Sequence, residues 1–351
     1  MIKCLIWDLD NTLFTGVYLE APDQRPGADP GRSAVLAELA GRGILQAIAS
    51  KNPPEAAQYA SELTGHEFAS VQCGWGAKSA AVSAVLDDLG LVPDEVAFVD
   101  DEAMERAQVA FALPDVLVLA PEDLADAAQW PQFSPPVVTA EARRRGELYA
   151  ERRVRRDEAA AFGGSADEFL RYSGTQVRIA LADLADLARL HELPVRTHQF
   201  NSTGVPVAAK TFAELFSSAG HQVITVRLSD KFGDDGLVGG CVIGTADRSW
   251  RVQLLMMSCR ALGRGVIGGL LAWLCLAARQ AGASQVVVAC VINRRNVPLR
   301  IALTSAGFRA DADLAADQPP WARADDQGRI AAYVIGLDQP RPDLPDWVTP
   351  A

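Results

Sequence analysis

The sequence predicts an α/β protein, with a doubly wound parallel sheet carrying a minimal cap and then a second domain of the α+β type. Three observations carry this expectation. Short apolar segments alternate with amphipathic helical segments over the first third of the chain, and acidic, hydroxyl and basic residues stand just after those apolar segments. From Gln176 onward the pattern changes to longer strands that feed one glycine-rich helix. The length agrees, since 351 residues suit two domains that each bury a core.

The first domain is expected over residues 1–130. A strand at 2–9 leads into Asp8-Leu9-Asp10-Asn11-Thr12, and a loop follows with Pro22, Pro26, Gly27, Pro30 and Gly31. A helix at 32–42, a strand at 44–49, a helix at 53–64, a short strand at 68–72, a helix at 78–90 and strands at 96–99 and 116–119 complete the alternation. Residues 131–170 open on Pro131, Pro135 and Pro136. They continue through Arg143 to Arg145 and Arg152 to Arg156, balanced by Glu141, Glu147, Glu151, Asp157 and Glu158, which reads as a solvated connecting helix. The second domain, 171–351, is expected to hold a strand at 177–180, a helix at 182–192 and a loop at 196–204. Strands at 221–229, 236–245 and 250–257, a helix at 263–281, a strand at 284–291 and a helix at 296–305 follow, ending at Gly307-Phe308.

Composition narrows the function. Hydrophobic residues make up 49% and charged residues 22% of the chain, which is a folded rather than a disordered composition. The formal charge of −11 argues against general nucleic-acid binding, which needs a basic face. The N-terminal segment reaches Asp8 too early for a signal peptide, and the longest apolar run, Val266 to Ala278, is too short to span a bilayer. Cys4, Cys73, Cys241, Cys259, Cys275 and Cys290 are scattered without metal-site spacing, so reduced thiols in a cytoplasmic protein are expected.

The first chemical constellation lies at the strand ends. Asp8 ends an apolar strand and Asp10 stands two residues on. One ionised carboxylate can attack phosphorus to form an aspartyl-phosphate, while a second donates a proton to the leaving oxygen and later activates water. Asp8 is assigned as nucleophile and Asp10 as acid/base. Two acids in a turn are a common pattern; their partners single them out. Ser50 ends the second strand, Lys78 begins a helix and Asp100-Asp101 ends a later strand. Ser50 and Lys78 are expected to bind the phosphoryl group, and Thr12 to close the first loop beside it. Magnesium needs hard oxygen ligands and would take Asp8, the Asp10 carbonyl and Asp100. In this order, W-D-L-D-N-T-L, A-S-K-N, Lys78 and F-V-D-D resemble the HAD superfamily.

The second constellation is Ser258-Cys259-Arg260-Ala261-Leu262-Gly263-Arg264-Gly265, where a strand passes into a helix. Arg260, Gly263, Arg264 and Gly265 have the R-x-x-G-x-G spacing of the pyrophosphate-binding turn of GNAT acyltransferases, in which helix N-terminal amides receive phosphate. Asn296 and Gly307-Phe308 extend that resemblance. Any tight strand-to-helix turn can carry two glycines, and a buried structural cysteine is the ordinary alternative for Cys259. Its place before a helix N-terminus and beside Arg260 favours thiolate instead.

Taken together, the chain resembles the FkbH-like glyceryltransferase/phosphatases of polyketide biosynthesis, from Ile2 to Phe308. The motifs are W-D-L-D-N-T-L, S-K-N, V-D-D-E-A-M-E-R, E-L-Y-A-E-R-R, R-T-H-Q-F-N-S-T, D-K-F-G-D-D-G-L-V-G and S-C-R-A-L-G-R-G. The resemblance implies a HAD domain of subfamily IIIC fused to a GNAT-like domain, acting on 1,3-bisphosphoglycerate. Cys259 would take the acyl group as a thioester and pass it to the phosphopantetheine thiol of an acyl carrier protein, while the HAD domain removes the remaining phosphate. His198, Gln199 and Asn201 lie in the implied acyl or arm-binding loop, and His198 departs from the family's usual T-N-Q-F-N. The basic run from Arg143 could meet an acidic carrier, although a solvated helix explains it as well. Two other readings stay open: a stand-alone small-molecule phosphatase with a ligand-binding second domain, and a carrier-binding scaffold.

Overall fold

The computed structural model describes residues 1–20, 24–135, 137–197, 199–245, 248–311, 329–338 and 344–350, and divides into two compact units, Met1–Val154 and Arg155–Ala351. The boundary falls inside the charged stretch, so residues 131–154 belong to the first unit and 155–170 to the second.

The first unit contains β1 (Cys4–Trp7), α1 (Pro30–Gly41), β2 (Leu45–Ser50), α2 (Pro54–Thr64), β3 (Ser70–Cys73), α3 (Lys78–Leu89), β4 (Val96–Val99), α4 (Ala103–Ala112), β5 (Leu117–Leu119), α5 (Leu124–Ala127) and α6 (Ala140–Arg143). Its sheet is wholly parallel, in the order β3-β2-β1-β4-β5. β1, β2 and β4 are buried along their full length because helices cover both faces, which is why they read as continuous apolar runs. Two polar intrusions are satisfied internally: Trp7 Nε1 donates to Gln46 Oε1 at 2.8 Å, and Lys3 pairs with Glu95 at 2.7 Å. Asp29 caps α1 by accepting from the Arg32 amide at 2.9 Å, ahead of Pro30 at the first helical position.

The next helix, α7 (Arg145–Ala161), crosses the boundary between the units. It is less solvated than its charge suggests, because Leu148, Tyr149 and Arg155 are buried.

The second unit continues with α8 (Ala166–Tyr172), β6 (Gln176–Leu181), α9 (Leu187–Arg196), α10 (Ala209–Phe216), β7 (His221–Asp230), β8 (Gly233–Gly244), β9 (Ser249–Met257), α11 (Val266–Gln280), β10 (Gln285–Ile292), α12 (Val297–Ser305), β11 (Arg309–Asp311), β12 (Arg329–Gly336) and β13 (Val348–Pro350). These strands form one mixed sheet in the order β11-β12-β10-β9-β8-β7-β6-β13. α11 packs Leu270, Leu271 and Leu274 on one face with Val177, Val226 and Val288. α9 and α10 cover the other with Leu190, Leu193, Phe212 and Leu215. The expected fold class is therefore present: a doubly wound parallel sheet followed by an α+β unit.

Several elements differ from the expectation. α11 starts at Val266, not 263, because Gly263 and Gly265 take left-handed φ values of 72° and 66°. α4, α8 and α10 were not foreseen, nor were the three strands β11 to β13 beyond Phe308. β9 and β10 pair in parallel only between Ser249–Val252 and Gln285–Val288. Beyond that point the segment Phe200–Ser202 lies between them. The Met257 amide donates to the Phe200 carbonyl at 2.8 Å, the Ser202 amide to the Leu255 carbonyl at 2.8 Å and the Val291 amide to the Ser202 carbonyl at 2.7 Å.

Close backbone approach is visible at Gly240 on β8, where an added Cβ would lie 2.5 Å from the Ile224 carbonyl oxygen and 2.9 Å from Leu190 Cδ2. Gly240→Ala should cost about 1–3 kcal/mol through overpacking, whereas Gly220→Ala, whose Cβ meets nothing within 4 Å, should change stability by less than about 0.5 kcal/mol. Thermal denaturation of the two variants beside the parent checks the contrast.

Candidate functional site

Strand register alone gathers the first site. Trp7 lies opposite Ile48 on one side and Val99 on the other, so Asp8, Ser50 and Asp100 all emerge at one carboxyl edge of the sheet. This is where parallel sheets present ligand groups. All three are buried, as is Lys78 at the start of α3. Lys78 Nζ stands 2.5 Å from Asp8 Oδ1 and 2.6 Å from Asp100 Oδ2, and Ser50 Oγ donates to Asp8 Oδ1 at 2.9 Å.

Burial pushes the Asp8 carboxyl up to about 6, against the opposing pull of Lys78. Burial also raises Asp100, again with Lys78 pulling the other way. Burial would lower Lys78, but Asp8 and Asp100 together hold it above its ordinary range. One ammonium thus faces two carboxyl groups in a buried place, and with both ionised the set carries a surplus of one negative charge. That surplus suits a phosphoryl group only if a cation joins it.

The residues fit such a cation. Carboxylate oxygens of Asp8, Asp100 and Asp101 lie within 4.8 Å of one another, a hard-oxygen set suited to magnesium. Sequence reasoning chose Asp8, the Asp10 carbonyl and Asp100; the structure adds the exposed Asp101 to the carboxylate cluster, while the Asp10 carboxylate has partners of its own. Asp10 is half-buried on a five-residue turn, Leu9–Leu13, in which Asn11 is left-handed with φ 50°. Its Oδ1 accepts from the Tyr18 amide at 2.8 Å and its Oδ2 from Asn52 Nδ2 at 2.9 Å. Thr12 is fully buried and joins two loops: its Oγ1 accepts from the Asp101 amide at 3.0 Å and donates to Asp101 Oδ1 at 3.4 Å.

Two arginines that the sequence reading passed over fix these loops by their carbonyls. Arg32 NH1 donates to the Asn11 and Thr12 oxygens, both at 2.6 Å, and Arg106 NH1 to those of Asp100 and Asp101, both at 2.7 Å. Lys51 pairs with the buried carboxylate of Glu105.

In the second unit Cys259 opens a short helical turn directly after β9 and is only partly buried. Its neighbour Arg260 is buried and donates through Nε to Ser258 Oγ at 3.4 Å. Gly263 and Gly265 are exposed, and a Cβ on Gly263 would meet nothing within 4 Å, so this turn presents open backbone. Gln199 is half-buried. His198 lies outside the described residues.

Three of the proposed arm-binding side chains are engaged within the chain itself. Arg264 is buried, donates to Asp230 Oδ2 at 2.6 Å and pairs with Asp235. Arg155 completes that set, with Nε 2.5 Å and NH2 2.9 Å from the two Asp230 oxygens. Asn201 is fully buried: its amide donates to the carbonyls of Pro194 (3.2 Å) and Thr197 (3.3 Å), and its Oδ1 accepts from the amides of Thr203 (3.1 Å) and Gly204 (2.9 Å). Asn296 is fully buried as well, and its amide donates to the Val291 carbonyl. The bonds of these side chains are thus internal, although Arg264 Nε and Arg155 NH1 are buried without a hydrogen-bond partner among the described residues. The D-K-F-G-D-D motif, in which Asp230 and Asp235 stand, was the available signal for an internal charge partner of Arg264.

No family model matches the chain, and no curated protein matches it. Among solved structures, it is similar to the N-terminal part of a Bacteroides fragilis protein containing a phosphatase domain complexed with Mg, at 27% identity over 36% of this chain and 39% of that one, with a TM-score of 0.32. The chain thus spans about two-fifths of that structure's length. It is also similar to the ribosomal-protein-S18-alanine N-acetyltransferase of Escherichia coli, with 15% identity over 47% of this chain and 96% of that one and a TM-score of 0.35. Similar again is the spermidine N-acetyltransferase of Vibrio cholerae in complex with CoA and spermine, with 14% identity over 46% and 96% and a TM-score of 0.36. Among the described residues no helix is long and apolar enough to cross a membrane.

The exposure of the cysteines orders their reactivity. Cys4, Cys241, Cys275 and Cys290 are buried, and burial pushes the Cys4 and Cys290 thiols up to about 12. Cys73 is half-buried but is pushed up to about 11 by burial and then by Asp8. Brief iodoacetamide treatment of the native protein near pH 7.5 (roughly a unit below an ordinary thiol), read by peptide mass mapping, should modify Cys259 before any other cysteine.

Proposed function

We propose that the chain is a two-site enzyme of the FkbH-like kind. A phosphatase site built on Asp8 and Asp10 removes a phosphate ester, and Cys259 carries a glyceryl group from 1,3-bisphosphoglycerate to the phosphopantetheine thiol of an acyl carrier protein. The observation that carries the phosphatase half is the buried Asp8–Lys78–Asp100 set with Ser50 against Asp8. The acyl-transfer half rests on a partly exposed thiol beside an open glycine turn, and on the sequence resemblance.

Phosphate removal follows from the geometry in two steps. Asp8 attacks phosphorus through a carboxylate oxygen; the bond to the leaving oxygen breaks, and that oxygen takes its electron pair and a proton from Asp10. Asp10, now ionised, takes a proton from water whose oxygen attacks the same phosphorus, and the bond to Asp8 breaks to release phosphate. Lys78 and Ser50 hold Asp8 in place, and Lys78 keeps a third N–H for a phosphoryl oxygen. Magnesium held by Asp8, Asp100 and Asp101 would neutralise charge on the transferring group.

Cys259 suits the other reaction. A thiolate attacks the carbonyl of an acyl phosphate, phosphate leaves with the electron pair, and the carrier's thiol then displaces Cys259 from the thioester. The exposed glycines Gly263 and Gly265 before α11 would let the phosphate of the pantetheine arm approach the backbone at the helix start.

The deciding experiment loads a carrier protein from 1,3-bisphosphoglycerate with magnesium and reads enzyme and carrier by intact-mass spectrometry. Wild type should show an acyl-enzyme adduct and a glyceryl-carrier; Cys259→Ala should show neither. A loaded carrier from Cys259→Ala would overturn the role of the thiol. Asp8→Asn should lose ester-phosphate release by roughly 10³-fold or more while still forming the Cys259 adduct. Chelation of divalent cations should produce the same split, and loss of both activities together would sink the division between the sites.

A further inference from the structure

Among the described residues, Asn52 is the one buried amide side chain that bonds both to Asp10 and to the hydroxyl held against Asp8. It is 1% exposed, and its Nδ2 donates to Asp10 Oδ2 at 2.9 Å and to Ser50 Oγ at 3.1 Å. Both protons of the amide are thereby committed, one to the acid/base and one to the hydroxyl that in turn donates to Asp8. No described residue bonds Asn52 Oδ1, so its N–H groups alone tie this side chain to its surroundings.

The backbone around it is stiff. Asn52 precedes Pro53 and Pro54, which open α2, and a residue before proline is confined to extended conformations. A side chain on such a backbone, fixed by two hydrogen bonds, is a frame rather than a moving part.

Asp10 needs a frame of this kind. It stands on a turn with one left-handed residue, is only half-buried, and among the described residues has Asn52 as its side-chain partner. The Tyr18 amide takes one carboxyl oxygen and Asn52 the other, which fixes the plane of the group. A carboxyl group has about four lone-pair directions, so two remain when both donors are bound. One can carry the proton to the leaving oxygen, and the same one can accept a proton from water afterwards. The frame therefore suits both protonation states.

We infer that Asn52 is a positioning residue for acid/base catalysis, aligning Asp10 for proton transfer to the leaving oxygen and from the attacking water. This rests on the phosphatase half of the proposed function and is independent of Cys259. It predicts a dependence on leaving group that a merely structural residue would lack. Formation of the aspartyl-phosphate from an aryl phosphate needs little acid assistance because phenolate leaves readily, whereas an alkyl phosphate expels a strongly basic alkoxide. Hydrolysis of the aspartyl-phosphate needs the base whichever substrate formed it.

The test uses the full chain with magnesium and compares p-nitrophenyl phosphate with glycerol 3-phosphate in wild type, Asn52→Ala, Asn52→Asp and Asp10→Asn. For Asn52→Ala, kcat/KM on the alkyl ester should fall about 10- to 100-fold, while kcat/KM on the aryl ester stays within about 3-fold. Aryl kcat should fall, with phosphoenzyme accumulating in acid-quenched samples. Asp10→Asn should show the same pattern more strongly. Asn52→Asp keeps the size of the side chain but replaces donors by acceptors, so it should reproduce the selective loss even if Asn52→Ala folds poorly. Equal losses in kcat/KM on both esters, or no loss on either, with an active wild type would overturn the inference and leave the phosphatase reading standing. A wild type inert on both esters would overturn the two together.

Discussion

The arrangement of the first unit follows from the cost of placing charge at the end of a buried parallel sheet. Asp8 and Asp100 leave adjacent strands at one level, and neither could remain ionised there alone. Lys78 stands within hydrogen-bonding distance of both and offsets one of the two charges. With both ionised, the second charge is not balanced by any buried group of the site among the described residues, and Asp101 adds another acidic group at its rim. A fold that only had to be stable would not keep such a surplus, since replacing buried ions by apolar groups is often neutral or stabilising. The imbalance is intelligible when the missing positive charge arrives with the substrate as a divalent cation.

The second unit offers the opposite case. Arg155 and Arg264 face Asp230 and Asp235, two charges against two, with every member buried. The charges cancel within the set, with only Arg155 NH1 and Arg264 Nε lacking a hydrogen-bond partner among the described residues. This closed set joins α7, the β7–β8 hairpin and the turn before α11, and it holds the turn that presents Gly263 and Gly265. The same logic explains Asn201, whose hydrogen bonds to four backbone groups form the segment that lies between β9 and β10. Charge balance and hydrogen-bond saturation thus separate residues that build a site from residues that are open to bind something.

That distinction was the part the sequence could not reveal. The strand ends were legible because Asp8, Ser50 and Asp100 each follow an apolar run, and parallel register then brings them together without further information. Lys78 was legible as the first residue of a helix. Arg32 and Arg106 were not, because they act on backbone carbonyls of the site loops, and such bonds leave no periodic trace. Arg264 and Asn201 were read as ligand groups because their motif spacing is the same whether the side chain faces solvent or an internal partner. α10, about two turns long, and β11 and β13, of three residues each, escaped because so few residues give a periodic pattern little room to show.

The chemistry proposed for the two nucleophiles gives a reason for having two of them. An acyl phosphate offers two electrophiles, carbon and phosphorus, and a phosphate ester offers only phosphorus. A soft, polarisable thiolate prefers the carbonyl carbon and conserves the acyl group as a thioester that another thiol can accept. A carboxylate held by Lys78 among oxygen ligands is built for phosphorus, and its product hydrolyses. Were the acyl phosphate to react at Asp8, its stored energy would be lost as free carboxylate and phosphate. A phosphatase site sharing a chain with an acyl-transfer thiol must therefore discriminate between two phosphates of one molecule. The discriminating group has to sense the leaving oxygen, because an acyl phosphate expels a weakly basic carboxylate whereas the ester expels an alkoxide. Acid assistance by a firmly held Asp10 accelerates the ester far more than the acyl phosphate, so the alignment of that one carboxyl group bears on selectivity as well as rate.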